Sequence, residues 1–414
     1  MNYSNFGERF NRFSGITQLM DDLNQGLLND DVVMLGGGNP ASIPQVQSLI
    51  KEVLQQQMNS GELMRSIANY DGPQGKDSFL DALVDYFQHK YGWAITRKNI
   101  ALTQGSQNSF FALFNMFSGR NAQGINKKVL LPLTPEYIGY SDVGICDDQL
   151  LGHPALIEEK EGGFFKYHVD FDGLPIDENI GLLTVSRPTN PSGNVLSNEE
   201  IQRLDSLAQH NQLPLLIDNA YGTPFPNIVF NNIQPFWNSN TIVCMSLSKL
   251  GLPGIRTGIV IAHEDIISTL SNITANHSLS PVGVGASIVQ HMITTDVIDD
   301  LCNTSIKPYY KAKVDFIVQQ LQQAINDERF SIHQPEGAIF VWLRFKSLGI
   351  TTKELYLRLK DKGLLVVPGE YFYPGRDDDD EHQHECIRMN IVQSESDIKK
   401  GIAILKAEIE CLWS

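Results

Sequence analysis

Ser246-Leu247-Ser248-Lys249-Leu250-Gly251-Leu252-Pro253-Gly254-Ile255-Arg256-Thr257-Gly258 follows an apolar, β-branched run over 241–245 that reads as a buried strand. A lysine at the end of such a strand sits in a low-dielectric cleft, where desolvation disfavours the ammonium and favours a neutral, nucleophilic amine. Ser246, Ser248 and Arg256 surround Lys249 with hydroxyls and a positive charge, a set that suits an anion such as a phosphate. The glycines and Pro253 bend the backbone close to whatever is bound. A Schiff-base lysine beside a phosphate cup is one reading. A surface lysine in a Gly/Pro loop is the other, and this stretch alone does not separate them.

The flanking chain repeats the pattern of apolar strand and polar turn. Ile100-Ala101-Leu102-Thr103 leads through Gln104-Gly105-Ser106-Gln107-Asn108 into a helix over 108–118. That helix start offers free N–H groups and a positive dipole end to an anion, and Ser106 is also a natural cap. Val129-Leu130-Leu131 ends in Pro132-Leu133-Thr134-Pro135-Glu136-Tyr137. Leu182-Leu183-Thr184-Val185 ends in Ser186-Arg187-Pro188-Thr189-Asn190-Pro191-Ser192-Gly193-Asn194. Ser197-Asn198-Glu199-Glu200 has the form of a capped helix start, and the strand over 213–217 stops at Asp218-Asn219-Ala220-Tyr221. Strands near 100, 130, 183, 215, 243 and 258, interleaved with helices, predict a mostly parallel α/β sheet. Every polar motif falls at the carboxyl end of a strand, where open α/β sheets bind ligands. The segment 147–178, with Gly, Asp and Pro throughout, reads as irregular.

Toward the N-terminus, residues 1–30 read as an amphipathic segment leading to Val32-Val33-Met34-Leu35 and Gly36-Gly37-Gly38-Asn39-Pro40. The glycines fit either a close backbone approach or a flexible turn, and they do not form a dinucleotide-binding GxGxxG. A helix over 44–60 begins with Pro44, and Tyr70 lies in the turn-rich Asn69-Tyr70-Asp71-Gly72-Pro73-Gln74-Gly75. After 265 helices dominate to about 326. Gly337-Ala338-Ile339-Phe340-Val341-Trp342-Leu343, Leu364-Leu365-Val366-Val367-Pro368 and Cys386-Ile387-Arg388-Met389-Asn390-Ile391 then read as strands of a smaller α+β domain. Asp377-Asp378-Asp379-Asp380-Glu381-His382-Gln383-His384-Glu385 invites a metal reading, but a solvated acidic loop explains it more simply, so no metal is expected.

Composition narrows the class. A chain of 414 residues exceeds what one core usually fills, which predicts two domains. The net charge of −16 argues against a nucleic-acid surface. Five scattered cysteines with no CxxC pair point to neither a disulfide framework nor a zinc site. A polar N-terminus and the lack of any membrane-length apolar run predict a cytoplasmic protein.

With Asn190, Asp218, Tyr221, Lys249, Arg256 and Arg388 in this order and spacing, the chain from about Gly36 onward resembles the fold-type I pyridoxal-phosphate aminotransferases. The resemblance implies a large domain over 49–300, with a mostly parallel seven-stranded sheet sandwiched by helices. It also implies a small α+β domain over 301–414, to which an N-terminal segment, 1–48, contributes. Lys249 would anchor pyridoxal 5′-phosphate and move the substrate's α-proton. Asp218 would keep the pyridine nitrogen protonated. Asn190 and Tyr221 would bond the ring oxygen, and Tyr137 would stack on the ring. Ser106, Gln107, Ser246, Ser248 and Arg256 would hold the phosphate, with Tyr70 reaching it from a second subunit of a homodimer. Arg388 would grip the α-carboxylate, helped by Asn190 and the backbone near Gly38.

Between Arg256 and Lys307 there is neither Arg nor Lys to hold a second carboxylate, so a neutral side chain is expected unless Arg9, Arg12 or Arg65 intervenes. Valine with pyruvate, giving 2-oxoisovalerate and alanine in the biosynthesis of these amino acids, fits that pocket and is what the family resemblance implies. Other neutral amino acids and a β-lyase on the same site remain alternatives. A cofactor-sensing regulator would need a basic DNA-binding domain that this acidic chain does not offer.

Overall fold

The computed structural model describes residues 1–11, Thr17 and 32–414. Beyond a short helix, Asn5–Phe10, the amphipathic segment expected over 1–30 lies outside these residues, as does Arg12.

Sixteen strands are described. The N-terminal ones are β1 (Val33–Met34), β2 (Ile100–Thr103), β3 (Gly119–Arg120), β4 (Asn126–Thr134), β5 (Leu150–Pro154), β6 (Leu156–Lys160) and β7 (Phe164–His168). Next come β8 (Ile180–Ser186), β9 (Leu215–Asp218), β10 (Thr241–Ser246) and β11 (Gly258–Ile261). The last are β12 (Phe330–His333), β13 (Phe340–Phe345), β14 (Leu364–Leu365), β15 (Val367–Pro368) and β16 (Cys386–Asn390).

The main sheet runs β2-β11-β10-β9-β8-β4, with β5 also on β4. The count of seven matches the number the resemblance implies, six of them lie where the sequence places strands, and the two-residue β3 adds an eighth by pairing with β4. Only β11 runs against its neighbours among the seven. The apolar runs have no polar side because both faces are covered. Leu102, Val243, Met245, Ile259 and Ile261 pack in one core with Phe79 and Phe87 of helix Asp77–Tyr91. The alternate residues Ala101, Ile242, Cys244 and Val260 pack in another, with Phe110 and Phe114 of helix Ser106–Phe117. Register sets the strand ends side by side. Gly258 lies opposite both Thr103 and Ser246, and Asp218 lies between Ser186 and Cys244.

A second sheet runs β15-β16-β13-β12-β7-β6. The segment 147–178, expected to be irregular, instead supplies β5 to the main sheet and the β6–β7 hairpin to this one. N-terminal β1 pairs in parallel with β14. Ser197 and Glu200 form the expected capping box of helix Asn198–His210. Among the described residues no helix is long and apolar enough to cross a membrane.

Candidate active site

The carboxyl ends of β8, β9 and β10, the start of helix Ser106–Phe117, β16 and the glycines after β1 converge on a cavity of about 350 Å³. Lys249 follows β10 in a short 3-10 turn, Ser248–Leu250. Its Nζ donates to the Gly38 carbonyl at 2.6 Å and lies 5.3 Å from the Tyr221 ring centre. Burial, then the charges of Arg388 and Arg256, lower its pKa to about 8 against the pull of Asp218. Asp218 ends β9. Its Oδ2 accepts from the Tyr140 hydroxyl at 2.9 Å and its Oδ1 from the Ala220 N–H at 3.0 Å. Burial raises its pKa to about 6, opposed by those two bonds and by Lys249.

Arg388 enters from β16. Nη1 donates to Asn190 Oδ1 at 2.8 Å and Nη2 to the Gly36 carbonyl at 2.7 Å, while Nε is buried without a partner. Its guanidinium carbon stands 4.1 Å from the Phe340 ring centre and 5.1 Å from that of Phe372. Burial lowers its pKa to about 10. The three glycines do approach something closely: Gly36, Gly37 and Gly38 give their carbonyls to Arg388, Asn390 and Lys249 in turn.

At the opposite end, Gly105 (φ +85°) occupies the N-cap position, where any Cβ would stand 2.3 Å from Arg256 Nη2. Ser106 is therefore not the cap, and it lines the cavity free of that duty. Gln107 donates to the Gly139 carbonyl at 2.8 Å, and its Oε1 is buried without a partner. Ser246 Oγ accepts from the Ser248 N–H at 3.2 Å, and Arg256 Nη1 lies 3.5 Å from Ser248 Oγ. Tyr137 and the buried Tyr221 complete the wall, Tyr137 set edge-on to Tyr140 at 5.4 Å. Tyr70 is the one expected site residue outside this cavity, and it is 82% exposed.

Sequence reasoning missed Tyr140, Ser186, Glu136 and Asn390. Asn390 was findable: two residues after Arg388 on one strand, it shares that residue's face. Arg187, quoted with the same turn as Asn190, turns away to the Leu196 carbonyl and Asn198 Oδ1 at 2.8 Å each. In the acidic run, Arg376 pairs with Asp378 and Asp380, and His384 with Asp379 at 2.6 Å.

The model of the aminotransferase class I and II family matches residues 152–405. The chain belongs to that family. This aminotransferase is 50% identical over 414 residues to the valine–pyruvate aminotransferase of Escherichia coli (strain K12), covering 100% of this chain and 99% of that one. A solved valine-pyruvate aminotransferase from Salmonella typhimurium LT2 superposes with a TM-score of 0.90 at 49% identity, covering 96% and 99% of the two chains. A Pyrococcus horikoshii kynurenine aminotransferase, solved with PMP, shares the fold at a TM-score of 0.79 and 20% identity over 96% and 95% of the chains.

The aminotransferase uses pyridoxal 5′-phosphate, and the cavity fits it. A buried carboxylate suits a pyridinium, a helix start with a nearby arginine suits a phosphate, and Ser106 Oγ and Gln107 Oε1 are left over for a ligand. Among the described residues its cationic lining side chains are Lys249, Arg256 and Arg388. Arg9 pairs with Asp147 at 2.8 Å and Arg65 is exposed on helix Glu62–Ala68.

Proposed function

We propose that this aminotransferase moves the amino group between L-valine and pyruvate, giving 2-oxoisovalerate and L-alanine. The observation that carries the choice is the lining: among the described residues each of its three cations has a separate task, which leaves none of them for a side-chain carboxylate. The full-length likeness to the Escherichia coli valine–pyruvate aminotransferase supports the same pair.

When bound, pyridoxal phosphate supplies a conjugated ring that accepts the electrons of the Cα–H bond. Arg388 binds the substrate's α-carboxylate, for which its unpartnered Nε is available, and Asn190 holds the fork in plane. Lys249 anchors the cofactor and then takes the α-proton on Nζ, whose lowered pKa leaves more free amine than an ordinary lysine has at neutral pH. Asp218 would hold the proton on the ring nitrogen, and Asn190 and Tyr221 would donate to the ring oxygen. Tyr137 would cover the ring face. Ser106, Gln107, Ser246, Ser248 and Arg256 would hold the phosphate. Met34, Ile138 and Val392 line the remaining wall and receive an aliphatic side chain. One methylene changes binding by about 1–3 kcal/mol, so neighbouring neutral amino acids also react.

The enzyme works as a homodimer in which each subunit lends Tyr70 to its partner's phosphate site. Met64, Ile67 and Tyr70 are 55%, 60% and 82% exposed, and Leu279 is 64% exposed. The two segments adjoin, since a Cβ on Gly283 would stand 2.7 Å from Asp71 Oδ2. Exposed apolar groups gathered in this way fit a subunit interface.

The test is 2-oxo acid production from L-valine by the loaded protein. It should require pyruvate, and L-aspartate should not replace valine. Pyruvate released from cysteine conjugates without an acceptor would mark a β-lyase and overturn the proposal.

A further inference from the structure

Behind Asp218 lies a second buried carboxyl that the reaction as described does not use. Glu136 follows β4 and is 1% exposed. Its Oε1 accepts from the Ser186 N–H at 2.8 Å, and its Oε2 accepts from the Tyr137 N–H at 3.1 Å and lies 2.6 Å from Ser186 Oγ. Ser186 Oγ is 3.1 Å from the Tyr140 hydroxyl, which reaches Asp218 Oδ2 at 2.9 Å. Three oxygen–oxygen contacts thus run in an unbroken line from Glu136 to Asp218. Among the described residues Glu136 makes no ion pair, and the charge acting on it, Asp218, has its own sign.

We propose that Glu136 is a positioning residue that carries a proton at neutral pH and, through Ser186, directs the Tyr140 proton onto Asp218. Asp218 is then the single anion of the pair. The inference rests on the reading of Asp218 as the partner of the ring nitrogen.

Proton counting supports it. If Glu136 is ionised, Ser186 and Tyr140 hold two protons for three contacts, and two oxygen lone pairs must face each other across one of them. If Glu136 is neutral, three protons serve three contacts: Glu136 donates to Ser186, Ser186 to Tyr140, and Tyr140 to Asp218. A second buried carboxylate without a cation would also carry a large desolvation cost. Burial lifts Glu136 to about 8 against the bonds from Ser186 and Tyr137, while Asp218 stands near 6, so the proton belongs at the Glu136 end. The groups facing Glu136 are accounted for: Tyr137 and Tyr140 on its own segment, Ser186 and Asp218 across the sheet, and the Phe372 carbonyl, which takes its N–H at 2.7 Å.

The infrared spectrum of the apoprotein should show a protonated-carboxyl band at pH 7 that is missing in Glu136→Gln and fades as the pH passes about 8. This readout needs no cofactor. Failure to bind pyridoxal phosphate would sink the functional proposal and leave this one standing. In the loaded protein, Glu136→Leu should weaken pyridoxal phosphate binding about tenfold and shift the pH midpoint of its absorbance, and Tyr140→Phe should do the same. Glu136→Gln, which donates and accepts as a neutral acid does, should restore both. A wild-type apoprotein without the band at pH 7, or a Gln variant that behaves like Leu or Phe, overturns the proposal. If the Leu variant does not fold, the band and the comparison of Gln with Tyr140→Phe still decide it.

Discussion

Lys249 and Asp218 are both held against their ordinary preferences, and the consequence can be measured. Burial raises Asp218 from the usual 3.8 to about 6. Between these values the folded protein binds more protons than the unfolded chain, so stability falls as pH rises through the window, and the loss is complete above it. Asp218→Asn should therefore stabilise the apoprotein at pH 7 by on the order of 2–3 kcal/mol in urea unfolding, and leave it unchanged near pH 3. The same substitution should weaken cofactor binding, a gain in stability set against function. Arg388→Lys keeps the charge but cannot hold Asn190 Oδ1 and the Gly36 carbonyl with one planar fork. Its kcat/KM for L-valine should fall by about 2–3 kcal/mol in transition-state terms, read from initial rates. The residues that make these effects were legible in part. Lys249, Asp218 and Arg388 announce themselves as charges at the ends of apolar strands. Ser186, Tyr140 and Glu136 do not, because their partners are brought together by the pairing of β8 with β4 on one side and β9 on the other, which no local pattern encodes.

At the scale of elements, the main sheet was readable except at half-buried β5, because its other long strands are apolar where they are buried on both faces. The β6–β7 hairpin was not. In β6 Leu156 and Ile157 are 53% and 36% exposed and charged residues follow, so an edge strand of this kind has no buried face to set a pattern. Yet the hairpin has a task. Lys166 of β7 bonds Asn194 Oδ1 at 3.1 Å and the Val195 carbonyl at 3.2 Å, and pairs with the buried Glu336, which also accepts from the Val195 N–H at 2.9 Å. These bonds tie the turn carrying Asn190 to the second sheet. Glu336→Ala leaves an unpaired buried ammonium and should cost about 3–5 kcal/mol, seen as a lower urea midpoint with an unchanged slope. Pairing it with Lys166→Met removes the stranded charge and should recover most of that loss. If the double variant is no more stable than the single one, the pair is not the source of the effect.

For the whole molecule, the proposed homodimer must overcome a net charge of −16 on each chain, which favours an apolar contact over a charged one. The exposed Met64, Ile67 and Leu279 supply such a surface beside Tyr70. Ile67→Asp places a charge in it and should give a monomer by sedimentation, with weaker pyridoxal phosphate binding because each phosphate site then lacks the neighbouring tyrosine. Complementation tests the exchange itself. Tyr70→Phe keeps Lys249 but impairs the phosphate site, and Lys249→Ala keeps Tyr70 but cannot take the α-proton. Co-expressed, half the dimers are mixed, and each mixed dimer joins an intact Lys249 to an intact Tyr70 at one of its two positions. About a quarter of all sites should then regain wild-type kcat/KM for L-valine, a subset that kinetic heterogeneity and cofactor titration can resolve. If Tyr70 serves its own chain, no mixed site combines the two intact residues, and activity should not exceed the average of the parent proteins.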